Sequence, residues 1–372
     1  MKIHLAGKTP AELKNIALEE GLPAFTGGQI AKWLYVQKVS SIDAMTNLSK
    51  AAREKLSQKY DTGIVAPVDV QTSVDGTRKY LFPVNRSFVA TAPQDDNKAF
   101  IHDKTPVIHE NTPVILSEAK NLFVEAVMIP DKDRKTLCVS SQAGCKMGCK
   151  FCMTGRQGFH GNLEVHDILT QFFAVDEAQE LTNTVFMGMG EPLDNWDTVK
   201  KVIEVLTADW GLGWSPKRIT LSTIGVLPNL KRYLDESRCH LAVSLHNPFP
   251  EERLEMMPVQ KAWPLEDVIN LIRQYDFTGQ RRVSFEYTVF EGWNNTPRHA
   301  KELIRLLNGL ECRVNLIRFH RIPDFPYGPA ADTAMEDFRD MLSRGGLTAT
   351  IRASRGEDIF AACGLLAGKH NG

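Results

Sequence analysis

From about residue 123 onward, short apolar runs typical of β-strands alternate with longer segments that have helical periodicity. The predicted helices include 165–180, 196–208, 264–275 and 297–307. The predicted strands are 123–129, 136–141, 184–189, 218–222, 240–245, 282–289, 313–319 and 348–352. Repeated strand–helix units predict an α/β fold with a parallel sheet, and about six of them can curl into a partial barrel. The functional loops of such barrels follow the carboxyl ends of the strands.

The first 83 residues predict a different kind of unit, mostly helical and ending in a hairpin. Helical periodicity covers 11–20, 28–36 and 47–60, and strand-like alternation covers 68–82 around Asp75-Gly76. The next stretch has no clear period and several prolines, so it is predicted to be a connection or insertion. The predicted division is an N-terminal accessory domain at 1–83, a connection at 84–122, a core barrel at 123–353 and a C-terminal segment at 354–372.

Composition narrows the class of protein. The chain has 372 residues, enough for a large core, and its net charge of -1 excludes a uniformly basic protein. Any nucleic-acid site must therefore be a local basic patch. The N-terminus has no apolar signal region, and no run approaches the roughly 20 apolar residues of a membrane span, so a cytoplasmic protein without membrane contact is expected. Seven cysteines in such a chain are typical of metal binding or catalysis.

Three of these cysteines, Cys145, Cys149 and Cys152, form a C-x3-C-x2-C cluster just after the predicted strand 136–141. An iron–sulfur cube is usually held by four cysteines, so three leave one iron free to bind another molecule. An open iron indicates catalysis rather than simple electron transfer. A structural zinc ion is the alternative, but such sites normally have four ligands, and no nearby cysteine or histidine stands at a zinc-finger spacing.

Polar residues also follow the next predicted strands. Gly190 and Glu191 come directly after 184–189. The glycine allows a ligand to approach the backbone, and the glutamate offers a carboxylate to an ammonium group. A serine at a strand end is by itself typical of a turn or cap. Further strand ends carry residues that would point to the same mouth of the barrel: Ser222, Ser244, Leu245 and His246.

The cysteine spacing and the Gly-Glu segment together resemble the radical S-adenosylmethionine (SAM) superfamily. In that superfamily the open iron binds the amino and carboxylate groups of SAM, and an electron from the cluster cleaves SAM to methionine and a 5′-deoxyadenosyl radical. Over nearly its whole length, the chain also resembles the RlmN family of dual-specificity RNA adenine-C2 methyltransferases. The matching motifs lie at 29–35, 45–48, 75–80, 145–155, 188–192, 222–225, 244–246 and 355–364.

This resemblance implies a partial (β/α)6 radical SAM barrel preceded by a small helical RNA-binding domain. It implies a 4Fe-4S cluster on the three clustered cysteines and two SAM molecules per turnover. His320 stands where most relatives are expected to have Asn-Pro, and an imidazole can supply a similar hydrogen bond. The implied SAM contacts are Gly190, Glu191, Ser222, Ser244, Leu245, His246 and His320.

The resemblance also implies roles for two more cysteines and one glutamate. Cys363 matches a cysteine that is methylated by a first SAM and then carries the one-carbon unit, although a buried helical cysteine is its ordinary interpretation. Cys138 matches the thiol that attacks the carrier sulfur and releases the product, leaving a Cys138–Cys363 disulfide. Glu125 matches the acceptor of the carbon 2 proton, and a glutamate inside an apolar strand is costly to bury without a task. Cys138 is the alternative proton acceptor.

The implied substrates are adenine-2503 of 23S rRNA and adenine-37 of certain tRNAs, with flavodoxin or ferredoxin as electron donor and a monomeric enzyme. A base modified at carbon 2 must be exposed, which favours a loop or a flipped nucleotide. Basic neighbours such as Lys217 with Arg218 and Arg318 with Arg321 could meet phosphates, but most such pairs are solvated surface. The alternatives are a relative that methylates carbon 8 of the same adenine, a non-catalytic iron–sulfur RNA-binding protein, and a zinc-stabilised binding module.

Overall fold

A computed structural model describes residues 2–84, 122–279 and 281–367. The predicted connection at 84–122 therefore lies outside the described residues, except for its first and last positions. The described strands are β1 Ile3–His4, β2 Tyr60–Asp61, β3 Asp69–Thr72, β4 Arg78–Val84, β5 Leu122–Asp131, β6 Arg134–Cys138, β7 Gln142–Gly144, β8 Phe159–Asn162, β9 Asn183–Phe186, β10 Ile219–Thr223, β11 His240–Ser244, β12 Val283–Val289, β13 Cys312–Arg318 and β14 Thr348–Ile351.

The described α-helices are α1 Pro10–Glu19, α2 Thr26–Ala31, α3 Lys50–Lys59, α4 Met153–Arg156, α5 Val165–Phe173, α6 Trp196–Thr207, α7 Leu227–Glu236, α8 Pro250–Met256, α9 Leu265–Ile272, α10 Pro297–Leu307 and α11 Asp332–Arg344. A π-helix continues α2 at Lys32–Val36. Short 3-10 helices lie at Ile42–Ala44, Pro192–Asn195, Pro216–Arg218, Pro258–Lys261 and Glu357–Ile359.

Ten strands form one sheet in the order β14-β13-β12-β11-β10-β9-β6-β5-β4-β3. The seven strands from β14 to β6 are parallel to their neighbours. At least one helix connects each parallel strand to the next, so the chain makes six strand–helix units and ends them with β14. This arrangement confirms the predicted partial (β/α)6 barrel.

The strand predicted at 123–129 is observed as β5, but it is not one of the barrel units. It runs antiparallel to β6, with Val127 opposite Cys138. The hairpin predicted at 68–82 is observed as β3 and β4, and β4 pairs with β5, so both strands extend the barrel sheet. Local periodicity identifies a strand but not its partner, because pairing depends on hydrogen bonds to distant segments.

The barrel helices pack on the sheet through apolar stripes. In α6 the buried positions recur at spacings of three and four residues, which is the pattern of one helical face: Val199, Val202, Ile203 and Leu206. Such stripes and the strand side chains form one hydrophobic core that continues into the N-terminal helices. Burying each large apolar side chain contributes about 1.5–3 kcal/mol, so this core holds the strand ends that carry the site.

The predicted N-terminal helices are observed as α1, α2 with its π-helical continuation, and α3. Thr9 and Glu12 form a capping box at the start of α1. The Val65 N–H donates to Thr170 Oγ1 at 2.7 Å, which joins the end of this unit to α5 of the barrel. Within the described ranges, no helix has the length and apolar character needed to cross a membrane.

Candidate active site

A cavity opens at the carboxyl ends of the parallel strands, where functional loops are expected. It encloses about 910 Å³, including the solvent at its mouth. Segments that are far apart in the sequence meet in its wall. The predicted site residues that line it are Cys145, Cys149, Cys152, Gly190, Glu191, Ser222, Ser244, His246 and Cys363.

The cysteine loop is held on both sides by backbone hydrogen bonds. The Cys145 N–H donates to the Gly158 carbonyl at 2.9 Å, and the Lys150 N–H donates to the Met256 carbonyl at the end of α8 at 3.0 Å. Burial raises the pKa of the Cys149 thiol to about 12 and also raises the pKa values of its two partners in the cluster. The free thiols are therefore protonated at neutral pH, and a metal centre must displace their protons to bind.

The donor set fits an iron–sulfur cluster better than a single zinc ion. In the described part of the chain, no three His, Cys, Asp or Glu side chains are grouped closely enough to hold one metal ion. A cubane takes one thiolate on each iron, so its ligands stand farther apart than those of a mononuclear ion. The cavity that Cys145, Cys149 and Cys152 line also has polar residues, including Glu191 and Ser222, that a ligand of the fourth iron would meet.

Position 190 requires a glycine because of its backbone conformation and because Gln142 packs closely against it. Its φ is +98°, and a Cβ at this position would lie 2.5 Å from the Cβ of Gln142. Gln142 in turn accepts the Glu191 N–H at 2.8 Å through its Oε1. The glycine therefore lets the loop after β9 pack directly on β7, which fixes the direction of the Glu191 side chain.

Glu191 joins the loops that follow two neighbouring strands. Its Oε1 accepts the Leu193 N–H at 3.0 Å, and its Oε2 accepts the Ile224 N–H at 3.0 Å. Burial nevertheless raises the pKa of this carboxyl group to about 7. An ammonium group bound in the cavity would favour the ionised form and would meet a carboxylate that is already oriented.

Ser222 and Ser244 are half-buried in the cavity wall, and His246 lies beside them. His246 Nδ1 accepts the Thr288 N–H at 2.9 Å, so the neutral ring carries its proton on Nε2. Burial, with a smaller effect of the nearby Arg253 charge, lowers the pKa of His246 to about 3. At neutral pH this side chain is an uncharged hydrogen-bond donor.

Two predicted SAM contacts lie outside the cavity wall. Leu245 is fully buried, and its N–H donates to the Glu286 carbonyl at 3.0 Å. His320 lines a neighbouring cavity, where its Nε2 lies 2.5 Å from Ser354 Oγ. Phe319 lines the cluster cavity instead. Phe319 and His320 follow β13 directly. Consecutive side chains of an extended segment point to opposite sides, so the cavity that Phe319 lines is not the one that His320 lines.

Cys138 and Cys363 come together in a third cavity, whose wall also includes Cys152 and Arg352. Cys363 is exposed and lines the cluster cavity as well, so it connects the two spaces. Cys138 is buried at the end of β6, and burial, followed by the proximity of Cys363, raises the pKa of its thiol to about 12. Both cysteines have free thiols in the structure.

Glu125 is buried in β5 and does not line any of these cavities. Its Oε1 lies 3.1 Å from Lys79 Nζ, which is itself buried on β4. Its Oε2 accepts the Ala367 N–H at 2.6 Å. The Lys79–Glu125 ion pair thus holds the C-terminal segment only a few residues beyond Cys363.

A larger cavity runs inside the open barrel from the amino ends of the parallel strands to Cys363. It encloses about 1480 Å³, including open solvent. Its charged lining residues are one carboxylate, Asp131, and the cations Arg134, Lys217, Arg218, Arg282, Arg318, Arg352 and Arg355. His240 and His320 line it as well, and burial lowers their pKa values. Among the residues that the structure describes, Lys217, Arg218, Arg282 and Arg355 make no ion pair with a carboxylate. This concentration of positive charge suits a polyanion.

Comparisons with known proteins agree with this geometry. The radical SAM superfamily profile matches residues 139–307, from the end of β6 to the end of α10. A crystal structure of a radical SAM methyltransferase from Sphaerobacter thermophilus superposes with a TM-score of 0.85 at 34% identity, over 99% of this chain and 100% of that chain. The fold and the site define the chain as a radical SAM enzyme.

The N-terminal unit and the full-length relatives narrow this class. The profile of the ribosomal RNA large subunit methyltransferase N-terminal domain matches residues 3–61. The probable dual-specificity RNA methyltransferase RlmN of Porphyromonas gingivalis is 53% identical over 98% of this chain and 94% of its own length. The dual-specificity RNA methyltransferase RlmN of Syntrophus aciditrophicus is 38% identical over 99% and 97%. The chain belongs to the RlmN family.

Several residues of the site were not predicted from the sequence. Glu286 lines the cluster cavity and lies 3.3 Å from Arg352, which lines the other two cavities. Neither stands in a recognisable motif. Lys79 stands beside Arg78 at the start of β4, before the apolar run from Tyr80 to Val84, so the sequence marks it as a basic residue but does not show that its side chain is buried.

Proposed function

We propose that this chain methylates carbon 2 of adenine in RNA, at adenine-2503 of 23S rRNA and adenine-37 of tRNAs, with Cys363 as the carrier of the one-carbon unit. The observation that carries this proposal is the shared cavity of Cys138 and Cys363, which adjoins the cysteine-cluster cavity through Cys363 itself. The names of the full-length relatives support RNA as the substrate.

Cys145, Cys149 and Cys152 would hold a 4Fe-4S cluster, and Glu191 would receive the amino group of SAM. When bound, the cluster and two SAM molecules per turnover supply the methyl group and a 5′-deoxyadenosyl radical. A low-potential one-electron donor such as flavodoxin or ferredoxin would reduce the enzyme, which we propose acts as a monomer. His246 Nε2–H and the hydroxyl groups of the strand-end serines orient the ligand in the cavity.

A carrier thiol is needed because carbon 2 of adenine is a poor nucleophile. Carbon 2 of adenine is electron-poor, so it does not attack a methyl group directly. A methyl thioether on Cys363 supplies the carbon in a form that can bond to this position after loss of one hydrogen atom. The crosslinked base would lose its carbon 2 proton and one electron, and the electron would return to the cluster. The Cys138 thiol then attacks the Cys363 sulfur and releases its own proton, so that the S–S bond forms as the S–CH2 bond breaks. The methylene carbon keeps the bonding electron pair and takes up one proton, which gives the methyl group of the departing base.

The proton lost from carbon 2 needs a base within the protein. Cys138 is a weak candidate, because its raised pKa of about 12 keeps it protonated at neutral pH and unable to accept another proton. Glu125 is the other candidate, because it carries two oxygen acceptors and its Oε1 is held 3.1 Å from Lys79 Nζ. To act, Glu125 must be reached from the Cys138–Cys363 cavity, which its contact with the segment carrying Cys363 makes feasible.

The basic cavity inside the barrel is our proposed path for the RNA strand. It combines cations without carboxylate partners in the described chain with an opening that reaches Cys363. The sugar–phosphate backbone would bind the arginine and lysine side chains, and the target base would extend toward the carrier. A strand already unpaired in a loop would enter at lower cost than duplex RNA.

The decisive experiment uses the reconstituted protein, deuteromethyl-SAM and RNA under anaerobic conditions, with mass spectrometry of the product nucleosides. We expect label at adenine carbon 2 with the intact protein and none with Cys363→Ala. Cys312→Ala is the matched control, because Cys312 is a half-buried cysteine of β13 outside the three cavities, and it should keep full labelling.

Other outcomes have distinct meanings. Label at carbon 8 would assign the chain to the carbon 8 reaction instead. No label despite a loaded cluster and a competent reductant would contradict a methyltransferase and favour a non-catalytic RNA-binding role. In Cys138→Ala we expect a protein–RNA crosslink to accumulate, and its absence would contradict the role of Cys138 in release.

A further inference from the structure

Arg253 is a fully buried arginine next to the cysteine loop. It lies on α8 and has no exposed surface. The last residue of this helix, Met256, accepts a hydrogen bond from the N–H of Lys150, the neighbour of Cys149. The helix that carries Arg253 is therefore docked directly on the loop that carries the proposed cluster ligands.

All hydrogen-bond partners of the Arg253 guanidinium are neutral. Nε donates to the Leu245 carbonyl at 3.1 Å, and Nη2 donates to the Ser244 carbonyl at 3.1 Å. Nη1 donates to Gln260 Oε1 at 2.5 Å. Within residues 2–84, 122–279 and 281–367, no carboxylate lies within ion-pair distance of this group. Although burial lowers the pKa of Arg253 to about 10, the side chain remains charged at neutral pH.

A buried charge without a counter-ion destabilises a protein, because the charge has lost its contact with water. Arg253 Nη2 reaches the Ser244 carbonyl, and Ser244 lines the same cavity as Cys145, Cys149 and Cys152. Three thiolates on a cubane give the centre a net negative charge, which increases when an electron is added. The bound cluster would therefore supply the anion that Arg253 otherwise lacks.

We infer that Arg253 is the counter-cation of the cluster and raises its reduction potential by stabilising the reduced, more negative form. This inference rests on the cluster site of the proposed function and adds a residue that acts on electron acceptance. Arg253 lines none of the three cavities, so it is a positioning and electrostatic residue that acts through the cluster. Net charge near an iron–sulfur centre is one of the main determinants of its potential.

A purely structural role is the competing explanation. Arg253 also joins the carboxyl ends of two neighbouring strands, because its Nη2 reaches the carbonyls of both Ile224 and Ser244. A neutral side chain would lose these bonds as well as the charge. The test must therefore separate charge from hydrogen bonding, which Arg253→Lys does by keeping the charge and losing most of the bonds.

The experiment is a redox titration of the reconstituted full-length chain without SAM, followed by electron paramagnetic resonance. In Arg253→Gln and Arg253→Met, we expect the midpoint potential to fall by at least about 59 mV, which corresponds to tenfold weaker binding of one electron. The midpoint potential of Arg253→Lys should differ from that of the intact protein by less than half of that shift. The matched control is Arg281→Gln, because Arg281 is also a buried arginine without a carboxylate partner in the described chain, but it lies at the amino end of β12.

Each result supports or overturns the inference. An unchanged potential in a neutral variant that retains its cluster would overturn it, as would an equal fall in Arg281→Gln. If the neutral variants fold but lose the cluster, retention of iron in Arg253→Lys supports the counter-cation role, and loss in Arg253→Lys as well supports a purely structural role. If the intact protein binds no iron–sulfur cluster, the proposed function itself fails, and that failure is recognised before any variant is compared.

Discussion

At the residue scale, burial decides the protonation state of the groups that surround the candidate site. It keeps the Cys138 thiol protonated, holds the His246 ring neutral and brings the pKa of Glu191 to about 7. Each shift has the sign expected when a charged form is removed from water. The site therefore presents neutral side chains and a glutamate that titrates near neutral pH, which gives two predictions that depend on pH.

Affinity for SAM should increase as pH rises toward 7, because Glu191 must lose its proton to pair with an ammonium group. Below its pKa of about 7 the carboxyl group is neutral. Equilibrium dialysis of SAM against the cluster-loaded protein, between about pH 5 and about pH 7, measures this effect, and the α-amino group of the ligand stays protonated over most of that range. Glu191→Gln should bind SAM about tenfold more weakly at neutral pH and lose the pH dependence. An intact protein with a flat profile would exclude an ionised Glu191 as the amino-group partner.

The cluster-free protein should lose stability in mild acid because of His246. Its folded pKa of about 3 is below the unfolded value of 6.5, so the unfolded state binds more protons between these two values. The neutral His246 ring therefore contributes to the free energy of unfolding above about pH 6.5. This contribution is lost as pH falls toward 3, and about 2 kcal/mol of it is lost between about pH 7 and about pH 5. Denaturant unfolding at both pH values should show a smaller loss in His246→Asn. Asparagine is chosen because it tolerates the positive φ of 56° at this position.

At the element scale, the segment that carries Cys363 is held by the cysteine loop and by the antiparallel extension of the sheet. The Met153 N–H donates to the Gly364 carbonyl at 2.8 Å, and Thr154 Oγ1 donates to the Leu366 carbonyl at 2.7 Å. Both donors lie in α4, directly after Cys152. From the other side, Glu125 accepts the Ala367 N–H. The segment that carries Cys363 is thus held by α4 on one side and by β5 on the other.

Replacing Lys79 by Met should loosen this segment. It removes the cation from a buried ion pair, which costs about 3–5 kcal/mol when one partner is removed. Hydrogen exchange followed by mass spectrometry should show faster exchange of the peptide covering 361–367. Arg78→Met is the control, because Arg78 precedes Lys79 on β4 and pairs instead with Asp176 and Glu177. Adding Glu125→Gln to Lys79→Met should recover part of the lost stability, and equal exchange in both single variants would contradict an anchor at Lys79.

At the scale of the whole molecule, the open barrel separates two environments that meet at Cys363. The cavity at the carboxyl ends of the strands holds the cysteine loop, and the interior cavity is strongly basic. Meanwhile, the net charge of the chain is only -1. The interior cavity therefore has an excess of positive charge that the chain as a whole lacks, and this excess would attract a polyanion toward Cys363.

RNA binding should accordingly depend on salt and on the cations of the interior cavity. Replacing Arg218 and Arg282 together by Gln should weaken binding of a single-stranded RNA and reduce the slope of log affinity against log salt by about 1 for each phosphate that is no longer neutralised. Arg344→Gln is the control, because Arg344 lies on α11 outside the described cavities. Fluorescence anisotropy at several salt concentrations measures both quantities. An unchanged slope in the double variant would place the RNA path elsewhere.

The sequence and the tertiary structure determine different features of this protein. The strand–helix alternation predicted the barrel, and the spacing of Cys145, Cys149 and Cys152 predicted an open metal centre, because periodicity and ligand spacing are local properties of the chain. The sequence did not reveal that β5 is antiparallel, that Phe319 instead of His320 faces the cluster cavity, or that Arg253 lacks a carboxylate partner in the described chain. Those features depend on which distant groups become neighbours after folding, and burial and charge pairing are set only by those neighbours.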